Sequence, residues 1–98
     1  MKKKYANEIE KIFKEKYNHM FYVVNYPKNN GDGRYLWIYR LADSEMVMVI
    51  HGGEVESFEI KLIKIDEDET VNKQFDSLED MVSYIKKDLL DDMMVYGI

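Results

Sequence analysis

Few side chains of this 98-residue chain have the types and spacing that chemistry requires. The two histidines, His19 and His51, lie far apart in sequence, and neither has a pair of acidic residues at metal-ligand spacing beside it. Cysteine is absent, which removes thiolate ligands, thiol nucleophiles and disulfides. We therefore predict no catalytic residue, no metal site and no cofactor, and we expect a protein that is not an enzyme.

Two short polar segments have a composition that can bind ions, but neither lies in the sequence pattern that a known type of ion-binding loop requires. Residues 29–33, Asn-Asn-Gly-Asp-Gly, lie between two strand-like runs and not before a helix, so they predict a hairpin turn and not a phosphate loop. Residues 66–69 are four acids in a row without the alternating order and the downstream Glu of a calcium loop. They predict a solvated acidic loop that ends the sheet.

The elements that must position these residues follow from apolar periodicity. Spacing of three and four residues predicts helices over 4–17 and 77–94, the second with Asp76 as its N-cap and Glu79 at the capping-box position. Strand-like runs with short connections cover 20–26, 34–41, 46–51 and 57–65. We predict a single α+β domain over residues 1–98, a four-stranded antiparallel β-meander flanked by N- and C-terminal helices (α-β-β-β-β-α).

Strand alternation divides the predicted sheet into two faces. Face B is aliphatic with two Phe and is the expected bed for the helices: Phe21, Val23, Leu36, Ile38, Val47, Val49, Phe58, Ile60 and Leu62. Face A is the face that carries Tyr22 and Trp37, and its predicted members are Tyr22, Val24, Tyr26, Tyr35, Trp37, Tyr39, Met46, Met48 and Ile50, with Ser57, Glu59, Lys61 and Ile63 from the fourth strand.

Face A is more apolar than an ordinary solvated sheet face. Tyr, Trp and Met are enriched at protein interfaces, and Tyr hydroxyls tolerate water when a partner is absent. Three alternatives remain: a helix covers face A, a second copy covers it, or it binds another protein or a ligand. The predicted protein-binding residues on this face are Tyr22, Tyr35, Trp37, Tyr39 and Met48.

Charge is unevenly distributed along the chain, whose net charge is −5. Residues 1–28 carry seven Lys against three Glu, and the rest carries seven Lys and Arg against sixteen acids. An acidic balance argues against duplex nucleic acid as a partner. It favours docking on a basic groove through Asp66, Glu67, Asp68 and Glu69, which join the predicted protein-binding residues.

In size, charge and α/β composition the chain resembles small acidic phage-encoded proteins, including anti-CRISPR proteins. The leading hypothesis is a non-enzymatic protein-binding module, such as an acidic inhibitor of a larger basic, nucleic-acid-binding protein. The alternatives are a homodimeric accessory or structural protein, and a single-stranded nucleic-acid binder that stacks bases on the face A aromatics. The absence of cysteine, of a signal peptide and of a membrane-length apolar run leads us to expect a cytoplasmic protein without membrane contact.

Overall fold

The computed structural model describes residues 1–27, 33–52, 58–64 and 67–98. These residues form three helices: α1 (Lys3–Lys16), α2 (Leu78–Lys87) and α3 (Leu89–Val95). Between α1 and α2 run five strands: β1 (Phe21–Pro27), β2 (Arg34–Arg40), β3 (Met46–Gly52), β4 (Phe58–Lys64) and β5 (Glu69–Phe75). All neighbours are antiparallel and the strand order follows the chain, so the predicted α+β meander with flanking helices is confirmed.

The sheet has five strands where four were predicted. β5 pairs along its whole length with β4, from Lys64 opposite Glu69 to Phe58 opposite Phe75. Glu69 therefore begins a strand, and the sheet continues beyond the acidic segment that was expected to end it. Asp66 and most of the predicted 29–33 turn lie outside the described residues, although Pro27 and Arg34 pair on either side of that turn.

All three helices contribute to one core on the same side of the sheet. α1 buries Ala6, Ile9 and Phe13, and the C-terminal helices bury Met81, Ile85, Leu89 and Met93. These side chains join the strand residues of face B, such as Leu36, Ile38, Ile60 and Leu62, in a single cluster with no measurable exposure at those four strand positions. Each such side chain contributes about 1.5–3 kcal/mol by leaving water.

The predicted C-terminal helix is two helices, which meet at Asp88. The apolar stripe runs on through Ile85 and Leu89, so both helices bury the same face although the backbone breaks between them. The N-cap of α2 is Ser77 and not Asp76, because the Ser77 hydroxyl accepts a hydrogen bond from the Asp80 N–H at 3.1 Å.

A β-bulge changes which residues of β3 face the core. Ile38 pairs with Met48 but Tyr39 pairs with Met46, so Val47 is the extra residue. Val47 and Met48 are both buried, and the alternation beyond them is shifted by one residue. Met48 and Ile50 therefore lie in the core with face B, and Val49 lies on face A, contrary to the prediction for all three.

Polar contacts join the helices to each other and to the edge strand. The Tyr17 hydroxyl, buried after α1, donates to the Ile85 carbonyl of α2 at 2.5 Å. The Tyr84 hydroxyl donates to the Asp92 carboxylate at 2.7 Å, and the Lys73 ammonium of β5 lies 3.4 Å from the same carboxylate. Burial raises the pKa of both tyrosines, and for Tyr84 the Asp92 carboxylate raises it further.

Candidate functional site

Face A is the open face of the sheet. The helices in the described ranges pack on face B, while Tyr22 and Tyr26 are 40% and 48% exposed. Tyr35, Trp37 and Tyr39 are half-buried by their neighbours on the same face. The alternative in which a helix covers face A is therefore wrong for the described part of the chain.

The aromatic residues of face A form two parallel stacks across β1 and β2. Tyr22 and Tyr39 are direct cross-strand partners, and their rings stack with centroids 5.0 Å apart and planes 10° apart. Tyr26 stacks on Trp37 with centroids 4.7 Å apart and planes 7° apart. Aromatic pairs of this kind contribute about 0.5–1.5 kcal/mol beyond their buried area. The rings are therefore held in place before any partner arrives.

Face A holds a His51–Glu59 pair, of which the sequence pattern placed Glu59 on this face but not His51. The two residues are cross-strand partners, and His51 Nε2 lies 3.8 Å from Glu59 Oε2. The Tyr35 ring packs on the other side of His51 with centroids 5.9 Å apart. The bulge at Val47 explains the difference, because the shifted alternation turns His51 toward face A. Once the bulge is known, period-two counting from Val49 locates His51 on face A.

Face A is nearly neutral. Among its described members the charged side chains are Glu59 and Lys61, which are two residues apart on β4 and both half-buried. On β5 the same face continues with polar, uncharged residues: Thr70, Asn72 and Gln74. An aromatic half on β1 and β2 thus grades into a polar half on β4 and β5.

Of the predicted protein-binding residues on face A, Met48 is in the wrong place. Its side chain has no exposure and lies in the core, so this monomer offers no surface there for a partner. Tyr22, Tyr35, Trp37 and Tyr39 do lie together on face A.

The described acidic residues are partly neutralised within the chain. Lys64 lies 2.5 Å from Glu67 Oε2 and 3.9 Å from Glu69 Oε2, and the contact with Glu67 raises the pKa of the Lys64 ammonium despite some desolvation. Asp68 adopts a left-handed backbone with φ of 52° in the turn before β5. Glu67, Asp68 and Glu69 are exposed at one end of the sheet, and Lys64 offsets part of their negative charge.

A second apolar surface lies at the end of the helical layer. A cavity of about 350 Å³ opens between the α1–β1 segment, the β2–β3 turn and α3, with Phe21, Leu41, Met93 and Met94 among its walls. Leu41 and Met94 are 45% and 79% exposed beside it. At the β2–β3 turn, Arg40 Nε donates a hydrogen bond to the Asp43 carboxylate at 3.0 Å. The guanidinium of the Arg that lines this cavity is therefore already paired with a carboxylate of the chain.

No group of three or more potential metal ligands occurs among the described residues. No helix in the described ranges is long and apolar enough to cross a membrane.

Comparisons of the chain with protein-family models, with curated proteins and with solved structures found no match.

Proposed function

We propose that this chain is a non-enzymatic protein-binding module and that face A is its binding surface. The observation that carries the proposal is the pair of aromatic stacks on a sheet face that the helices leave open. The open face of an antiparallel sheet is ordinarily polar, whereas this one is rich in aromatic side chains. A partner protein would complete the burial of these side chains.

The physical reason is the low cost of binding with aromatic side chains that are already ordered. Tyr and Trp offer a large contact area with few rotatable bonds, and they dominate the energetic centres of protein interfaces. Tyr22 and Trp37 are each held by a stacked neighbour, so their rotamer entropy is largely lost on folding and not on binding. Their polar atoms keep the unbound face compatible with water.

Single-stranded nucleic acid fits face A less well. Aromatic rings can stack on bases, but such sites also need cations that follow the phosphate backbone. Lys61 is the one Lys or Arg among the described residues of face A. The lysines of α1 belong to the helical layer on the other side of the sheet.

The narrower hypothesis, an inhibitor that docks its acidic residues on a basic groove, has less support. Lys64 already contacts Glu67 and Glu69, and Lys73 contacts Asp92. We retain this hypothesis as a way in which exposed acids steer the approach of a basic partner. We place the binding in the cytoplasm, since a cysteine-free chain is suited to a reducing compartment.

The experiment is affinity capture of the tagged chain from its native host, with quantitative mass spectrometry of the eluate. Trp37→Ala removes the centre of one stack, and Met94→Ala is the control because Met94 is an exposed apolar residue on the helical layer. We expect a protein, either another copy of the chain or a different one, that is captured by wild type and by Met94→Ala but lost with Trp37→Ala. Equal capture by all three would contradict the proposal.

A further inference from the structure

We propose that the protein bound by face A is a second copy of this chain, in a two-fold dimer whose sheets pack face to face. This inference rests on the proposed function and names its partner. It is carried by the arrangement of charges and aromatic rings about one line across the sheet, and by the area of the face.

Overall charge favours this face as a self-association surface. The chain carries a net charge of −5, so two copies repel each other overall. Face A is an exception, because Glu59 and Lys61 cancel and the remaining described side chains other than His51 are uncharged. Two copies can therefore approach through face A without juxtaposing like charges.

The strand register supplies a line about which face A is complementary to itself. Leu36, Ile50 and Ile60 are paired in succession across β2, β3 and β4, and their side chains point into the core. On face A, Tyr35, His51 and Glu59 lie on one side of this line, and Trp37, Val49 and Lys61 lie on the other.

A two-fold axis along that line exchanges the two sides. It places Glu59 of each copy opposite Lys61 of the other, and Tyr35 of each copy opposite Trp37 of the other. Opposite charges and aromatic rings then meet twice, as an isologous interface requires. Packed sheets keep their strands within about 30° of each other, which preserves these juxtapositions approximately.

The area of face A is enough for a small specific interface. Five strands of seven residues, spaced about 4.8 Å apart and rising about 3.3 Å per residue, present a face of roughly 550 Å² in projection. Two such faces together exceed the ~1,000 Å² that separates specific interfaces from incidental contacts. The aromatic half supplies the apolar centre, and Asn72 and Gln74 supply a polar rim.

The experiment is sedimentation equilibrium of the purified chain and of charge variants. We expect wild type to dimerise, and Glu59→Lys or Lys61→Glu alone to weaken the dimer by about tenfold or more, because each change places like charges opposite each other twice. An equimolar mixture of the two single variants should recover dimers, since one variant presents two lysines and the other two glutamates. Glu8→Lys makes the same charge change at an exposed position of α1 and should leave the dimer intact.

Each remaining outcome contradicts the inference. A wild-type monomer at ~1 mM contradicts it, and so does a dimer that is indifferent to Glu59→Lys, Lys61→Glu and Trp37→Ala. A monomer whose capture of a different protein depends on Trp37 would overturn the second copy and leave the proposed function standing. A monomer whose Trp37 fluorescence responds to a single-stranded oligonucleotide would identify nucleic acid instead. A monomer without any Trp37-dependent capture would overturn both proposals.

Discussion

Tyr26 and Trp37 stack with centroids 4.7 Å apart and planes 7° apart, although the backbone register pairs Trp37 with Val24 and Tyr26 with Tyr35. The diagonal stack places the single Trp of the chain flat in the centre of the aromatic half of face A. This placement connects the local structure of one strand pair to the surface through which we propose that the protein binds.

The first prediction concerns Trp37 and the separation of binding from folding. Trp37→Ala should retain the native circular dichroism spectrum and cost about 1–2 kcal/mol of stability, chiefly the lost stack. It should abolish self-association, because in the proposed dimer the Trp37 ring faces Tyr35 of the second copy. Sedimentation and chemical denaturation of the variant measure the two effects. A variant that unfolds at room temperature would show that Trp37 is a core residue and not a surface anchor.

The second prediction tests the β-bulge. Met48→Ala should lower the free energy of unfolding by about 2–5 kcal/mol, because it leaves a cavity in the core. Val49→Ala, one residue along the strand on face A, should cost less than about 1 kcal/mol. Urea denaturation of the two variants decides the matter. A larger loss for Val49→Ala than for Met48→Ala would contradict the bulge and support regular alternation along β3.

The third prediction concerns the start of α2. Ser77→Ala should cost about 1 kcal/mol, because it removes the acceptor for the Asp80 N–H. Asp76→Ala is the matched control, since Asp76 is exposed and Ser77 makes the cap. Thermal melts of both variants give the comparison. Equal losses would mean that the cap is shared between the two residues.

The fourth prediction is a loss of stability at alkaline pH. Burial and the Asp92 carboxylate raise the pKa of Tyr84 in the folded protein above the value near 10 of an unfolded tyrosine. Above about pH 10 the unfolded chain therefore binds fewer protons than the folded one. The contribution of Tyr84 to the free energy of unfolding is fully present below about pH 10 and falls as the pH rises further. Denaturation midpoints should hold from pH 8 to about pH 10 and decline above it, and those of Tyr84→Phe should decline less steeply. Parallel curves for the two proteins would contradict a role for the Tyr84 proton.

The fold class was predictable because it depends on strong periodic signals. The stripe through Ile9 and Phe13, and that through Met81, Ile85 and Leu89, place both helical segments on one core. β5 was not predicted, because Lys73 interrupts its apolar alternation between Val71 and Phe75 on the core side of the sheet. Only the tertiary structure shows that the Asp92 carboxylate lies beside the Lys73 ammonium. This ion pair allows a Lys on the core side of the strand.

The part of the candidate site on β1 and β2 was predictable from the sequence, and the part on β3 was not. Tyr22, Tyr35, Trp37 and Tyr39 lie on one hairpin whose turn signals define the register, so face A could be assigned for β1 and β2. In β3 the run 46–50 is apolar at every position, so either alternation suits the sequence equally well. The bulge at Val47 decides between them, and it has no Gly or Pro to mark it.

The most direct test of the account is the fluorescence of Trp37 as a function of protein concentration. Because Trp37 is the single Trp and lies on face A, its emission and its quenching by acrylamide report whether that face is covered. We predict that quenching falls and the emission shifts to shorter wavelength as the concentration rises, in step with the dimer fraction measured by sedimentation. Quenching and emission that stay constant from submicromolar to near-millimolar concentration would contradict the claim that a second copy covers face A.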